Sequence, residues 1–322
     1  MTKTTHATLA LLVVTLIWGA TFIWMEQGVK AGVAHLGAGH EIKTIALFLS
    51  VRFLLAAGIL GLVSPASRRD LKLGSVWRGG FAIGFVLFAA FALQMGGLID
   101  LPPATSAFLT SLYVGFTALL VVVLSRRALS RWLVVGVLFA SAGAALISGP
   151  PTVHFNAPEW LTVACAFLFA IHILVTDRVT KRLPPAAVTL TSFVVVGVSS
   201  ALLFPVAASH EAVVPMAEVF GLLTTRAFLE PMLLSSVLAT VLALSLMNQY
   251  QRDLSPVRAS IIYAVEPIWA ALYSLLLGFG FSEPGWFLFG AAALLCGNLI
   301  AELGPRLLDR RAPGETGEGP SS

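Results

Sequence analysis

The 322-residue sequence predicts an all-α integral membrane protein, with ten transmembrane helices arranged as two inverted five-helix repeats and both termini cytoplasmic. Three observations carry this prediction: extreme apolarity, a sided distribution of basic residues, and an internal repeat. Hydrophobic residues make up 57% of the chain and charged residues 11%, less than half of the roughly 25% usual in soluble domains. Mean hydropathy is +0.90. A spanning helix takes about 20 apolar residues, so ten would use about 200 positions and leave short loops. Soluble enzymes, disordered chains and disulfide-rich secreted scaffolds are excluded on these grounds.

Apolar runs cut at charges and turn residues give helices over about 8–26, 44–63, 79–98, 103–124, 132–149, 159–176, 186–206, 230–250, 256–278 and 284–303. The first run continues through Trp18 to Met25 without a small-x-small cleavage site, so it reads as a helix and not as a removed leader. With the N-terminus inside, 16 of the 20 Lys and Arg fall in inner segments. Only Lys30, Lys43 and Arg226 fall in outer loops, and Arg52 lies within a span. That bias follows the positive-inside rule and requires an even number of helices. It also accounts for the net charge of +4 without invoking nucleic acid. Cys165 and Cys296 sit in apolar segments with no CxxC spacing and are expected to be buried.

The chain repeats itself weakly at an offset of 151 to 154 residues. Asp100-Leu101-Pro102-Pro103 matches Asp253-Leu254-Ser255-Pro256. Trp132, Gly136 and Gly143 match Trp286, Gly290 and Gly297, and Lys30 matches Lys181 at the close of each first helix. The repeats are therefore 1–150 and 151–305, followed by a tail over 306–322 whose Gly, Pro, Glu and Ser content predicts disorder. Five helices per half is an odd number, so the halves insert with opposite orientation. Inverted repeats of this kind place a substrate site near the bilayer midplane between the halves.

Five segments then carry a family resemblance. They are Trp18-Gly19-Ala20-Thr21-Phe22, Val51-Arg52-Phe53-Leu54-Leu55-Ala56, Thr105 through Tyr113, Ala170 through Arg178, and Ile261-Ile262-Tyr263-Ala264-Val265-Glu266-Pro267. In order and in position they resemble EamA-type transporters of the drug/metabolite transporter superfamily, over residues 8 to 303. The resemblance implies secondary transport of small metabolites, often export of amino acids or drugs, in a bacterial inner membrane. It also implies Gly-Glu just after helices 4 and 9. This chain has Ser125-Arg126 and Gly278-Phe279 there, so it offers no glutamate for a helix-end role.

Candidate site residues are those polar or aromatic at midplane depth. A charge there costs about 2.5–3.5 kcal/mol on insertion scales and must be paired, hydrated or neutralised. Glu266 lies about ten residues into helix 9, where it could hold a proton or an amine, or satisfy backbone freed by Pro267. Arg52 is as central in helix 2, with pairing to Glu266, contact with a substrate carboxylate, and a purely structural role all open. Tyr263, Glu266 and Tyr273 share a face of helix 9, with Trp269 on the neighbouring stripe. By the repeat, Tyr113 corresponds to Glu266 and His172 to Thr21, which lies with Trp18 and Met25 on one face of helix 1. Helices 1, 4, 6 and 9 are therefore expected to line one cavity. Gln94, Asn248 and Gln249 are expected to hydrogen-bond between helices. Asp177 with Arg178 closes helix 6, as an ion pair or a gate. Gly80 and Gly84 suit close helix packing.

No P-loop, HExxH or Asp-x-x-Asp pattern occurs, and His210-Glu211 lacks a second His. An embedded enzyme would need a carboxylate cluster, whereas one acid lies deep in a span. No enzyme activity, cofactor or metal is expected. The partners are a small-molecule substrate, the lipid bilayer and, if transport is coupled, protons; the chain is a monomer or homodimer. The expected substrate is amphipathic, such as an amino acid, because a sugar phosphate would call for clustered Lys and Arg. A drug exporter and a passive facilitator are the alternatives.

Overall fold

The computed structural model describes residues 2–126, 128–147, 156–207, 213–278 and 284–308. The apolar runs become helices, since a bilayer offers backbone groups no partner outside the segment. The principal helices are α1 (Lys3–Leu36), α2 (Glu41–Val63), α3 (Gly74–Gly97), α4 (Pro103–Ser125), α5 (Arg131–Ile147), α6 (Ala157–Thr180), α7 (Pro185–Ala207), α8 (Arg226–Asp253), α9 (Pro256–Leu276) and α10 (Pro284–Leu308). Short helices Pro65–Arg68 and Met216–Thr224 lie in connections. No β-strand occurs among the described residues.

Eight of the ten are long and apolar enough to cross a membrane; α5 and α10 carry shorter apolar stretches, Arg131–Gly143 and Leu288–Gly297. Helix α1 is longer than the apolar run that announced it. It starts at a Thr2 cap, where the Thr5 amide donates to the Thr2 hydroxyl, and ends at Gly37, whose φ of 94° suits glycine. Lys30 therefore sits on a helix and not in a loop. Lys43 likewise lies inside α2 and is buried. Helix α10 runs to Leu308, so 306–308 of the expected tail are helical, and the rest of it lies outside the described residues. Cys165 is buried, as expected, but Cys296 is exposed on the outer face of α10, a surface apolar enough to meet lipid.

The repeat is visible in the packing. Helix α2 packs on α7 and α5 on α10, each against its own counterpart. The remaining contacts exchange between halves: α1 on α8 answers α6 on α3, and α1 on α9 answers α6 on α4. The α5–α10 seam is reciprocal. A methyl group on Gly143 would come within 3 Å of the Leu294 amide and the Gly290 carbonyl, and one on Gly297 would come within 3 Å of the Ala140 amide and the Gly136 carbonyl. Gly80 and Gly84 let α3 approach Thr191 and Ser192 of α7 in the same way.

Candidate functional site

Two helices break at corresponding places. In α4 the regular helix stops at Thr110 and resumes at Tyr113; in α9 it stops at Tyr263 and resumes at Glu266. The break residues match at an offset of 153, with ψ of −9° and −15° at Ser111 and Leu112, and −7° and −19° at Ala264 and Val265. Each break tightens to a bond three residues back, Leu112 to Leu109 and Val265 to Ile262. The causes differ. Pro267 brings no amide and crowds the preceding turn. Helix α4 has no proline there; the Ser111 hydroxyl donates to the Phe108 carbonyl at 2.6 Å, competing with the helix ladder.

Tyr113 and Glu266 are thus the first residues of two half-helices, and both face one buried cavity. Its walls are Trp18, Thr21, Phe22 and Met25 of α1, Leu87, Phe91 and Gln94 of α3, Thr110 and Tyr113 of α4, Phe169, His172 and Ile173 of α6, Leu244 and Met247 of α8, and Tyr263 and Glu266 of α9. Seven pairs of these residues are repeat mates: Trp18 with Phe169, Thr21 with His172, and Phe22 with Ile173 at offset 151, then Phe91 with Leu244, Gln94 with Met247, Thr110 with Tyr263, and Tyr113 with Glu266 at offset 153. The cavity volume is only about 40 Å³. That is room for roughly three waters, so a metabolite requires the walls to part.

Within the cavity Tyr263 stacks obliquely on Trp18, with ring centroids 5.5 Å apart. The indole of Trp18 donates to the Ala239 carbonyl at 3.2 Å. Gln94 donates to the Thr110 hydroxyl at 3.3 Å, and His172 Nε2 lies 3.4 Å from the Thr176 hydroxyl. The Tyr113 hydroxyl is buried and neighbours the Glu266 carboxyl. A tether closes one end. The Tyr263 hydroxyl donates to Gln251 Oε1 at 3.0 Å, and Gln251 Nε2 donates to the Ile173 carbonyl at 2.8 Å, tying α9, α8 and α6 together.

Helices α1 and α6 each carry an acid–lysine pair one helical turn long, again related by the repeat. Glu26 pairs with Lys30 at 2.6 Å on α1, and Asp177 with Lys181 at 2.7 Å on α6. The partner of Asp177 is therefore Lys181 and not Arg178. Glu26 and Lys30 border an opening shared with Asp100, Pro102 and Ser274.

Of the expected site residues, Trp18, Thr21, Tyr113, His172, Tyr263 and Glu266 meet in the cavity, and Trp269, Tyr273 and Arg52 do not. Trp269 leaves the cavity wall because one turn beyond Glu266 it faces Gly19 of α1, whose missing side chain admits it, and it stacks on Tyr273. Tyr273 also departs, its hydroxyl donating to the Leu16 carbonyl at 3.2 Å. Arg52 is fully buried but lies behind Phe91, and no ion pair joins it to Glu266. Asn248 bonds across to Thr189 of α7 at 2.8 Å as expected, whereas Gln249 is exposed. The wall helices that the sequence did not nominate are α3 and α8. Leu87, Phe91, Leu244 and Met247 carry no polar label, but Gln94 moved by the repeat offset lands on Met247.

Residues 157–301 match the EamA-like transporter family. Across 94% of this chain and 87% of its own length, an uncharacterized transporter of Archaeoglobus fulgidus is 26% identical. A solved crystal structure superposes with a TM-score of 0.68 at 19% identity, over 95% of this chain and 100% of that one, a likeness of fold.

Proposed function

We propose a transport cycle for this chain, which belongs through residues 157–301 to the EamA-like transporter family and is a multi-pass membrane transporter. It is a secondary carrier that moves a small amphipathic metabolite, with amino acids the favoured class, by alternating access to the cavity between α1, α3, α4, α6, α8 and α9. The observation that carries this reading is the matched pair of broken helices opening onto one cavity whose walls are repeat mates. In an inverted repeat, two such halves exchange conformations, and the same site then opens to the other side. The interrupted helices supply polar backbone at a depth where continuous helix supplies none. Two inverted halves spanning ten times, with both ends of the chain cytoplasmic, fit the basic-residue bias, and an inner-membrane exporter is the assignment that the family resemblance favours.

Glu266 is the group we assign to a substrate amine or to a coupling proton, and Tyr113 faces it from the opposite half. The aromatic lining supports amphiphilic drugs as a second substrate class. Counterflow in proteoliposomes tests both. Unlabelled amino acids are preloaded singly and labelled tracer uptake is followed, with and without an imposed pH gradient. Saturable counterflow for one group supports the carrier. A pH-driven overshoot that disappears in Glu266→Gln assigns coupling to that carboxylate. Uptake that never saturates and shows no counterflow overturns the carrier in favour of a passive pore.

A further inference from the structure

Arg52 is a fully buried cation that the cavity does not yet explain. Its Nε donates to the Thr240 hydroxyl at 2.8 Å, and both terminal nitrogens lack a hydrogen-bond partner among the described residues. The guanidinium carbon lies 4.7 Å from the ring centroid of Phe91 and 5.3 Å from that of Phe53. Aromatic faces attract the charge but leave the in-plane N–H groups unanswered. Thr240 answers Nε alone: it lies in wide π-type turns spanning Ser235–Leu244, and its hydroxyl donates in turn to the Ser235 carbonyl at 2.9 Å. A structural arginine in a membrane is saturated by carbonyls or paired with an acid. This one has a single hydrogen bond, and the ring that covers it, Phe91, is itself a wall of the cavity.

We propose that Arg52 is the anion-binding group of the carrier, sheltered behind Phe91, and that its ligand is the carboxylate of a small substrate with an apolar body. The inference rests on the transport reading and names the substrate's recognised group. The free edge of a guanidinium offers parallel donors that match the two oxygens of a carboxylate. The Thr240 bond holds the opposite edge and fixes the direction of the fork. Turning the Phe91 side chain is the movement that joins this fork to the cavity. A lone guanidinium with no lysine beside it suits a monoanion and not a phosphate dianion. The aromatic and methionine walls suit the apolar body.

The test uses three probes of one shape: 3-phenylpropanoate, 3-phenylpropanamide and 3-phenylpropylamine. Binding to the full chain in nanodiscs is measured by calorimetry, and the same probes serve as preloaded ligands in counterflow. The carboxylate is expected to bind at least about tenfold more tightly than the amide. Arg52→Gln is expected to abolish that difference, Arg52→Lys to restore part of it, and Phe91→Ala to raise carboxylate affinity. Equal binding of carboxylate and amide by the unaltered protein, binding of none of the three, or a preference that survives Arg52→Gln overturns the proposal. If Arg52→Gln does not fold, the wild-type ratio and Phe91→Ala decide the matter by the same criteria. Counterflow of amine and amide without a carboxylate preference sinks this inference and spares the carrier. Arg52-dependent carboxylate binding without any counterflow spares this site and sinks the carrier.

Discussion

The two halves build the same cavity wall from different chemistry. At matching positions the first half contributes Trp18, Thr21, Phe91, Gln94, Thr110 and Tyr113, and the second contributes Phe169, His172, Leu244, Met247, Tyr263 and Glu266. The one carboxylate and the one imidazole of the wall, Glu266 and His172, both belong to the second half. Backbone geometry has stayed symmetric while side chains have not, and the helix breaks make the point most clearly: one is produced by a proline, the other by a serine hydroxyl, and their dihedrals agree within 14°. In the proposed cycle, duplication supplies a scaffold in which each half takes the other's conformation. Divergence then put the wall's carboxylate and imidazole in one half of the site.

The comparison breaks most visibly at the α5–α10 seam, where symmetry should be strictest. Gly143→Val and Gly297→Val each press a side chain into backbone, and each is expected to cost about 3 kcal/mol, measured as thermal unfolding in detergent. The two losses should agree within about 1 kcal/mol; a large inequality would mean that the seam is not reciprocal. Chemistry, by contrast, should be unequal. Glu266→Gln is expected to slow counterflow about 100-fold, roughly the strength of a charge-assisted contact, and Tyr113→Phe about tenfold or less. Equal effects would erase the proposed division of labour.

The tether sharpens the contrast further, because the first-half mates of Tyr263, Gln251 and Ile173 are Thr110, Leu98 and Phe22, which cannot form it. Gln251→Leu is expected to raise maleimide labelling of His172→Cys about tenfold from the α6–α7 end, in a background lacking Cys165 and Cys296, with no such increase from the other end. The smallest effect is expected at Arg126, which caps α4 with a left-handed φ of 53° that a side chain resists. Arg126→Gly should stabilise the protein by about 0.5–1 kcal/mol in the same unfolding assay.

Much of this was readable from the chain. Depth in the membrane follows from counting along an apolar run, so Glu266, Tyr113 and His172 could be placed near the midplane. Azimuth is harder. A helix buried on several sides has no polar face to orient it, so nothing in α2 said that Arg52 turns away from the cavity towards Phe91. The same blindness hid Phe91, Leu244 and Met247, which look like any lipid-facing residue. Here the repeat was the unused signal, since Gln94 shifted by 153 gives Met247 directly. Pro267 announced a break in α9, but Ser111 announced nothing, because a serine inside a helix more often bonds back without interrupting it. Cys296 was misjudged because apolar surroundings in a membrane protein include the lipid itself.

The reciprocal seam between α5 and α10 has an ancestral consequence. Gly143 rests against Leu294 and Gly290, and Gly297 rests against Ala140 and Gly136, so the surface is complementary to a copy of itself turned half round. Such an isologous contact forms between two separate polypeptides as readily as within one. A five-helix forerunner, inserted in both orientations, would already have possessed the interface needed to assemble as an antiparallel pair. Joining the genes of such a pair would keep both copies together in equal number and leave each free to acquire its own side chains.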